Sequence, residues 1–190
     1  MKPIGLTILL TALLIGCSKR NTLEVVTVAD FESFVKATGY ETDAERYGWS
    51  FVQEDVLTFT IVEAIDWRSP RGKQHASSDM PVTQISFNDA LAYCEWSKSR
   101  LPTYEEYWEL VAKDGRPMII DQKQPAAALE AHTIGNVWEL TTSENQKGEI
   151  RLAGGSYLCS QHTCDGSNPD RKLFVDKSTG NSHIGFAVIR

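Results

Sequence analysis

The sequence predicts an α+β domain, rich in loops, with its helices mostly early and short strands late. Three observations lead there. Helical spacing and capping signals cluster before residue 114, a β-branched run interrupts them at 56–65, and residues 148–190 hold short apolar runs broken by Gly, Asn and Ser. With 190 residues, 42% hydrophobic and 23% charged, the chain suits one domain with a sizeable core. These figures exclude a disordered tail, a collagen-like repeat and a disulfide-dense miniprotein. A net charge of -6, from 19 basic and 25 acidic residues, argues against nucleic acid as a partner, because neutralising phosphates needs clustered Lys and Arg.

In chain order, residues 24–28 read as a short strand. Residues 30–38 read as a helix: Phe31, Phe34 and Val35 share one face, and Gly39 ends it. The run 56–65 reads as a strand. Ser86 or Asn88 caps a helix reaching Lys98, with Ala90, Leu91 and Cys94 on one face; there Cys94 is a buried small hydrophobe rather than a ligand. Thr103-Tyr104-Glu105-Glu106 is a capping box opening a helix to Ala112 or Lys113, which accounts for the paired glutamates without acid-base chemistry. Beyond it, Gly115, Pro117 and Pro125 break regular structure, and 126–132 allow one or two helical turns. His75, His132, His162 and His183 show no metal-ligand spacing and read as surface or turn residues.

The N-terminus reads as a processing signal. Lys2 supplies a positive charge, and residues 4–15 form an apolar stretch too short to span a bilayer comfortably, followed by Leu14-Ile15-Gly16-Cys17. This resembles the bacterial lipobox, in which the Cys becomes the first mature residue and is lipidated; the alternative is an ordinary secretory signal that contains a Cys. The resemblance implies a signal peptide at 1–16, a lipidated Cys17 with a short tether at 17–22, and a domain at 23–190. Membrane lipid would be held stably by two or three acyl chains. The expected location is the bacterial cell envelope, and Ser18 in place of Asp points to the outer membrane.

Several runs, in one order, resemble a single family. They are residues 28–34 and 38–51, Trp67-Arg68-Ser69-Pro70, Pro81-Val82, the run from Ser86 to Cys94, and residues 100–106. Gly135-Asn136-Val137-Trp138-Glu139, Gly154-Gly155-Ser156-Tyr157 and terminal Gly185-Phe186 complete the set. The family is that of the formylglycine-generating enzymes, or sulfatase-modifying factors. The resemblance implies their fold, which is similar to C-type lectins and has little regular secondary structure.

Cys159 and Cys164 stand on a segment introduced by Gly154-Gly155-Ser156. Two thiolates suit copper(I), which they can hold in a linear site open to a third; in an oxidising envelope the same pair closes a disulfide, and zinc or free thiols are further alternatives. The resemblance implies copper(I) at Cys159 and Cys164, with Ser156 beside them and oxygen as oxidant. A cysteine of an exported sulfatase polypeptide would be the third ligand and would become formylglycine, and the two glycines would let its backbone approach. For Asn136, Val137 and Glu139 there are two readings. One is a calcium site; the other is a buried turn in which Trp138 packs and Glu139 pairs with an Arg.

The sequence also departs from the family. Cys164 is followed by Asp165-Gly166-Ser167-Asn168-Pro169 instead of an Arg-rich run, leaving Arg171-Lys172 displaced, and the stretch between Thr103 and Gly135 is short. Two functions follow. The first is an oxidase converting a substrate Cys to formylglycine; the second is a non-catalytic lectin-like envelope or secretion-apparatus lipoprotein. A monomer is expected for either.

Overall fold

The computed structural model describes residues 21–190 except Lys73, Ile120 and Gln161; the signal, the lipobox and Cys17 lie outside the described residues. The elements are β1 (Leu23–Val25), α1 (Val28–Thr38), α2 (Asp43–Tyr47), β2 (Trp49–Gln53), β3 (Phe59–Glu63), α3 (Phe87–Ser97), α4 (Tyr104–Val111), β4 (Trp138–Glu144), β5 (Ile150–Ala153), β6 (Phe174–Val175), β7 (Ile184–Gly185) and β8 (Ala187–Ile189). Long irregular stretches separate them, as an α+β, loop-rich chain requires.

All four helices among the described residues start at reciprocal capping boxes. Thr27, Thr42, Ser86 and Thr103 each accept from the N–H three residues on, and Asp30, Glu45, Asp89 and Glu106 reach back to the cap N–H. Ser86, not Asn88, therefore caps α3, and Thr27 starts α1 at Val28, two residues before the expected helix. Removing the hydroxyl in Thr103→Ala should cost about 1 kcal/mol of stability, read as a lower urea midpoint at unchanged slope.

Three expectations need correction. Leu91 does not share the buried face of α3 with Ala90 and Cys94, since it is exposed. The run at 56–65 is not one strand: the Asp55 carboxylate accepts from the N–H groups of Leu57 and Thr58, turning the chain so that β3 pairs back on β2. Residues 126–132 form a turn rather than helix.

A four-stranded sheet runs in the order β6-β5-β4-β7, antiparallel except for the β4–β7 pair; β1–β8 and β2–β3 form separate ribbons. The main core lies between α1, α3 and the sheet. Phe31 is fully buried at its centre, touching Phe34, Trp67, Tyr93 and Phe186 with ring centroids 5.3 to 6.4 Å apart. Cys94 packs into this core as a free thiol, and burial pushes its pKa up to about 11.

Side chains alternate along β4. Trp138 and Leu140 enter the main core. Ala153, the cross-strand partner of Glu139, packs instead with Tyr104, Tyr107 and Val111 of α4, which places Glu139 on that second face.

Candidate functional site

β5 ends at Ala153, and the chain turns through Gly154 and Gly155 at φ 85° and 68°. Both approaches that require glycine come from within this chain. A Cβ on Gly154 would lie 2.1 Å from the Tyr107 hydroxyl, and one on Gly155 would lie 2.4 Å from the Cα of Gly166. The room expected for a substrate backbone is thus filled by α4 and by the run after Cys164.

Beyond the glycines, the segment is pinned to residues 121–122, whose N–H groups donate to the carbonyls of Cys159 and Tyr157. The Ser156 N–H lies 3.4 Å and its hydroxyl 4.0 Å from the Cys159 sulfur. Cys159 and Cys164 are joined as a disulfide. The structure therefore brings Ser156, Cys159 and Cys164 together, with the sulfurs bonded to each other.

Those three residues form one wall of a cavity of about 530 Å³. The β2–β3 ribbon supplies a second wall through Phe51, Gln53 and Phe59, and the sheet a third through Trp138 and Leu152. Most polar side chains of the lining already hold partners. Gln53 donates to the Asp55 carbonyl and accepts from Asn181, Asp176 accepts from Ser178 and Thr179, and Glu149 accepts from Asn145.

His183 also lines the cavity, and sequence reasoning missed it. It is buried, its Nδ1 has no partner, and burial pushes its pKa down to about 4, so it is uncharged at pH 7. No spacing flags a lone His; strand pairing alone places it, through the Trp138 N–H donating to the His183 carbonyl. His132 is likewise buried, its Nδ1 accepting from the Ile134 N–H, whereas His75 and His162 are exposed as expected. Among the described residues no cluster of three His, Cys, Asp or Glu is placed to hold a metal ion.

The residues expected to hold calcium do not line the cavity. Asn136 is closed on Ala126, its amide accepting from and donating to that backbone at 3.0 Å, while its own carbonyl accepts from the Tyr157 N–H. Val137 is fully buried. Glu139 has no Arg partner: both carboxylate oxygens are buried without a hydrogen bond, and burial pushes its pKa up to about 8. The Tyr107 hydroxyl, also unpartnered, is pushed well above its ordinary value by burial first and then by the charge of Glu139.

Residues 22–126 match the family described as sulfatase-modifying factor enzyme 1-like domain. The chain is 37% identical over 146 residues to a formylglycine-generating enzyme of Thermomonospora curvata, covering 65% of this chain and 46% of that one. It is 39% identical over 150 residues to the inactive C-alpha-formylglycine-generating enzyme 2 of Bos taurus, covering 69% and 48%. It thus spans less than half the length of these relatives. The structure of PvdO from Pseudomonas aeruginosa superposes with a TM-score of 0.60 at 16% identity, over 87% of this chain and 77% of that one, a likeness of fold.

Proposed function

Because the chain belongs to the sulfatase-modifying-factor family, we propose that its cleft is an oxidase site of the formylglycine-generating kind, acting on a cysteine of an exported sulfatase-like polypeptide with copper(I) and oxygen. The observation that carries this reading is the placement of Ser156 and both cysteines on one wall of the 530 Å³ cavity. Once reduced, Cys159 and Cys164 offer two soft thiolates with, among the described residues, no third His, Cys, Asp or Glu clustered beside them. That donor set fits copper(I) and leaves a position for a substrate thiol. Copper(I), when bound, supplies oxygen activation. The chain's own residues do the rest: the apolar walls keep water from the reacting thiol, the Ser156 hydroxyl stands beside Cys159, and His183 enters the cleft uncharged, so it does not repel a cation.

The reaction balances only with an external reductant. Converting a –CH2SH side chain to an aldehyde releases sulfide and two electrons; oxygen takes four, so two more come from a pair of external thiols, and water leaves. The experiment is incubation of the reduced protein with copper(I), oxygen, dithiol and a Cys-x-Pro-x-Arg peptide, read by mass spectrometry. Formation of the aldehyde supports the reading. An unchanged peptide favours the non-catalytic lectin-like lipoprotein; one of the similar relatives is itself named as inactive.

The proposal extends to calcium and to the envelope. The orphaned, buried Glu139 carboxylate fits a divalent cation, with the Val137 carbonyl as a second oxygen; the Asn136 amide, held by Ala126, fits it less well. Attachment through Cys17 sets a further expectation: Cys17→Ser should move the protein from the detergent phase to the aqueous phase. If it partitions like wild type, the lipobox reading falls.

A further inference from the structure

The β2–β3 ribbon carries an edge that the fold leaves open. Gly48 pairs with Ala64 and Glu54 with Thr58 through backbone hydrogen bonds, so in this antiparallel register the even residues of β3, Thr60 and Val62, bond to β2. The N–H and C=O groups of Phe59, Ile61 and Glu63 then point away from β2. Among the described residues they have no strand partner. On β2 the corresponding outward groups are taken: the Phe51 carbonyl accepts from Ser182 N–H, and Gln53 N–H donates to the Ser182 hydroxyl.

The open edge is also apolar. Phe59 is 55% and Ile61 63% exposed, with Leu57 at the turn 90% exposed. Neither Lys nor Pro, the usual guards against strand addition, occurs in Phe59–Glu63. Phe51 and Phe59, in edge contact at 5.2 Å, lie on the ribbon face that walls the cavity of Cys159 and Cys164. With Gln53, Asn181, Asp176 and Glu149 already bonded within the chain, the cavity offers an incoming segment mainly apolar surface. The chemistry that satisfies both features is an extended polypeptide backbone with apolar side chains at alternate positions.

We propose that β3 is the docking edge for the polypeptide substrate, which adds as a third strand at Phe59, Ile61 and Glu63 and turns its apolar side chains onto Phe51 and Phe59 at the cavity mouth. This rests on the reading of the cleft as acting on polypeptides. It assigns recognition to backbone pairing and apolar flanks, with Arg171 as a basic side chain also lining the cavity.

The probe is a labelled ten-residue peptide with Ser at the reacting position and Val, Leu or Phe at alternate positions, titrated by fluorescence anisotropy, which needs neither copper nor turnover. Ile61→Pro deletes an outward N–H without touching the bonds to β2, and should weaken binding roughly tenfold or more at an unchanged melting temperature. Phe59→Gln should weaken it severalfold. N-methylation along the peptide, which leaves the protein intact, should block binding with a period of two residues. Indifference to N-methylation, or equal binding by a peptide with Arg at the apolar positions, overturns the proposal. A dimer that Ile61→Pro dissolves also overturns it, since a second copy would then occupy the edge. Undiminished oxidation of the Cys peptide by Ile61→Pro overturns edge docking while leaving the oxidase reading intact; period-two binding without any oxidation does the reverse.

Discussion

Copper(I) is expected to bind the fully reduced protein in a one-to-one ratio, and either Cys159→Ser or Cys164→Ser should abolish that binding. Two thiolates on one short loop outcompete the oxygen and imidazole groups of this chain for a soft ion, and a lone thiolate cannot hold it in linear geometry. His183 is the nearest rival by placement, since it lines the same cavity, yet no three-residue donor cluster forms there. The disulfide joining the pair sets the condition of the measurement: oxidised protein should take up no copper(I), and reduction should restore uptake. A purely structural staple behaves differently. Its loss would cost about 2 kcal/mol for so short a loop, with no metal phenotype. Fully reduced protein that fails to bind copper(I) would sink the oxidase assignment. Tight thiolate-dependent binding without peptide oxidation would mark a relative that keeps the metal pair and has lost turnover.

How far the sequence reveals this arrangement depends on whether the signal is local. Ser86 and Thr103 announce α3 and α4 because a capping box is complete within four residues. The same pattern at Thr42 and Glu45 opens α2 and would have located it, but five residues are too few for helical periodicity to show. β4 opens with an apolar-polar alternation, Trp138-Glu139-Leu140-Thr141, which by itself places Glu139 on a solvent face; α4 covers that face, and this is not visible in the strand's own residues. At the candidate site, Ser156, Cys159 and Cys164 are close in sequence, so one short segment announces all three. The opposite wall, from Phe51 to Phe59, arrives only through pairing over more than a hundred residues, Phe51 with Asn181, and His183 arrives through its carbonyl's bond to the Trp138 N–H; no short motif encodes either.

Glu139 should make stability fall with rising pH. Its carboxyl lies buried with both oxygens unpartnered, and burial raises its pKa from an ordinary value near 4.5 to about 8. Between those values the folded chain keeps a proton that the unfolded chain releases. Folding therefore loses free energy as pH increases through that window, and the loss is complete above the folded pKa. His183 acts in the opposite sense at lower pH. Its pKa is depressed by burial to about 4, so the stability it contributes above pH 6.5 is lost as pH falls toward 4. The clean interval is pH 6.5 to 8, where the Glu139 contribution amounts to about 2 kcal/mol. Urea unfolding in the presence of a chelator should show that decline, and Glu139→Gln, which carries no charge to desolvate, should flatten it. Added calcium should raise stability more at pH 8 than at pH 6.5, because it stabilises the ionised carboxylate, and Glu139→Gln should lose this response as well. A decline that persists in Glu139→Gln would place the titrating group elsewhere, and a wild-type melting curve indifferent to both calcium and chelator would leave Glu139 as a protonated residue of the α4 face with no metal to hold.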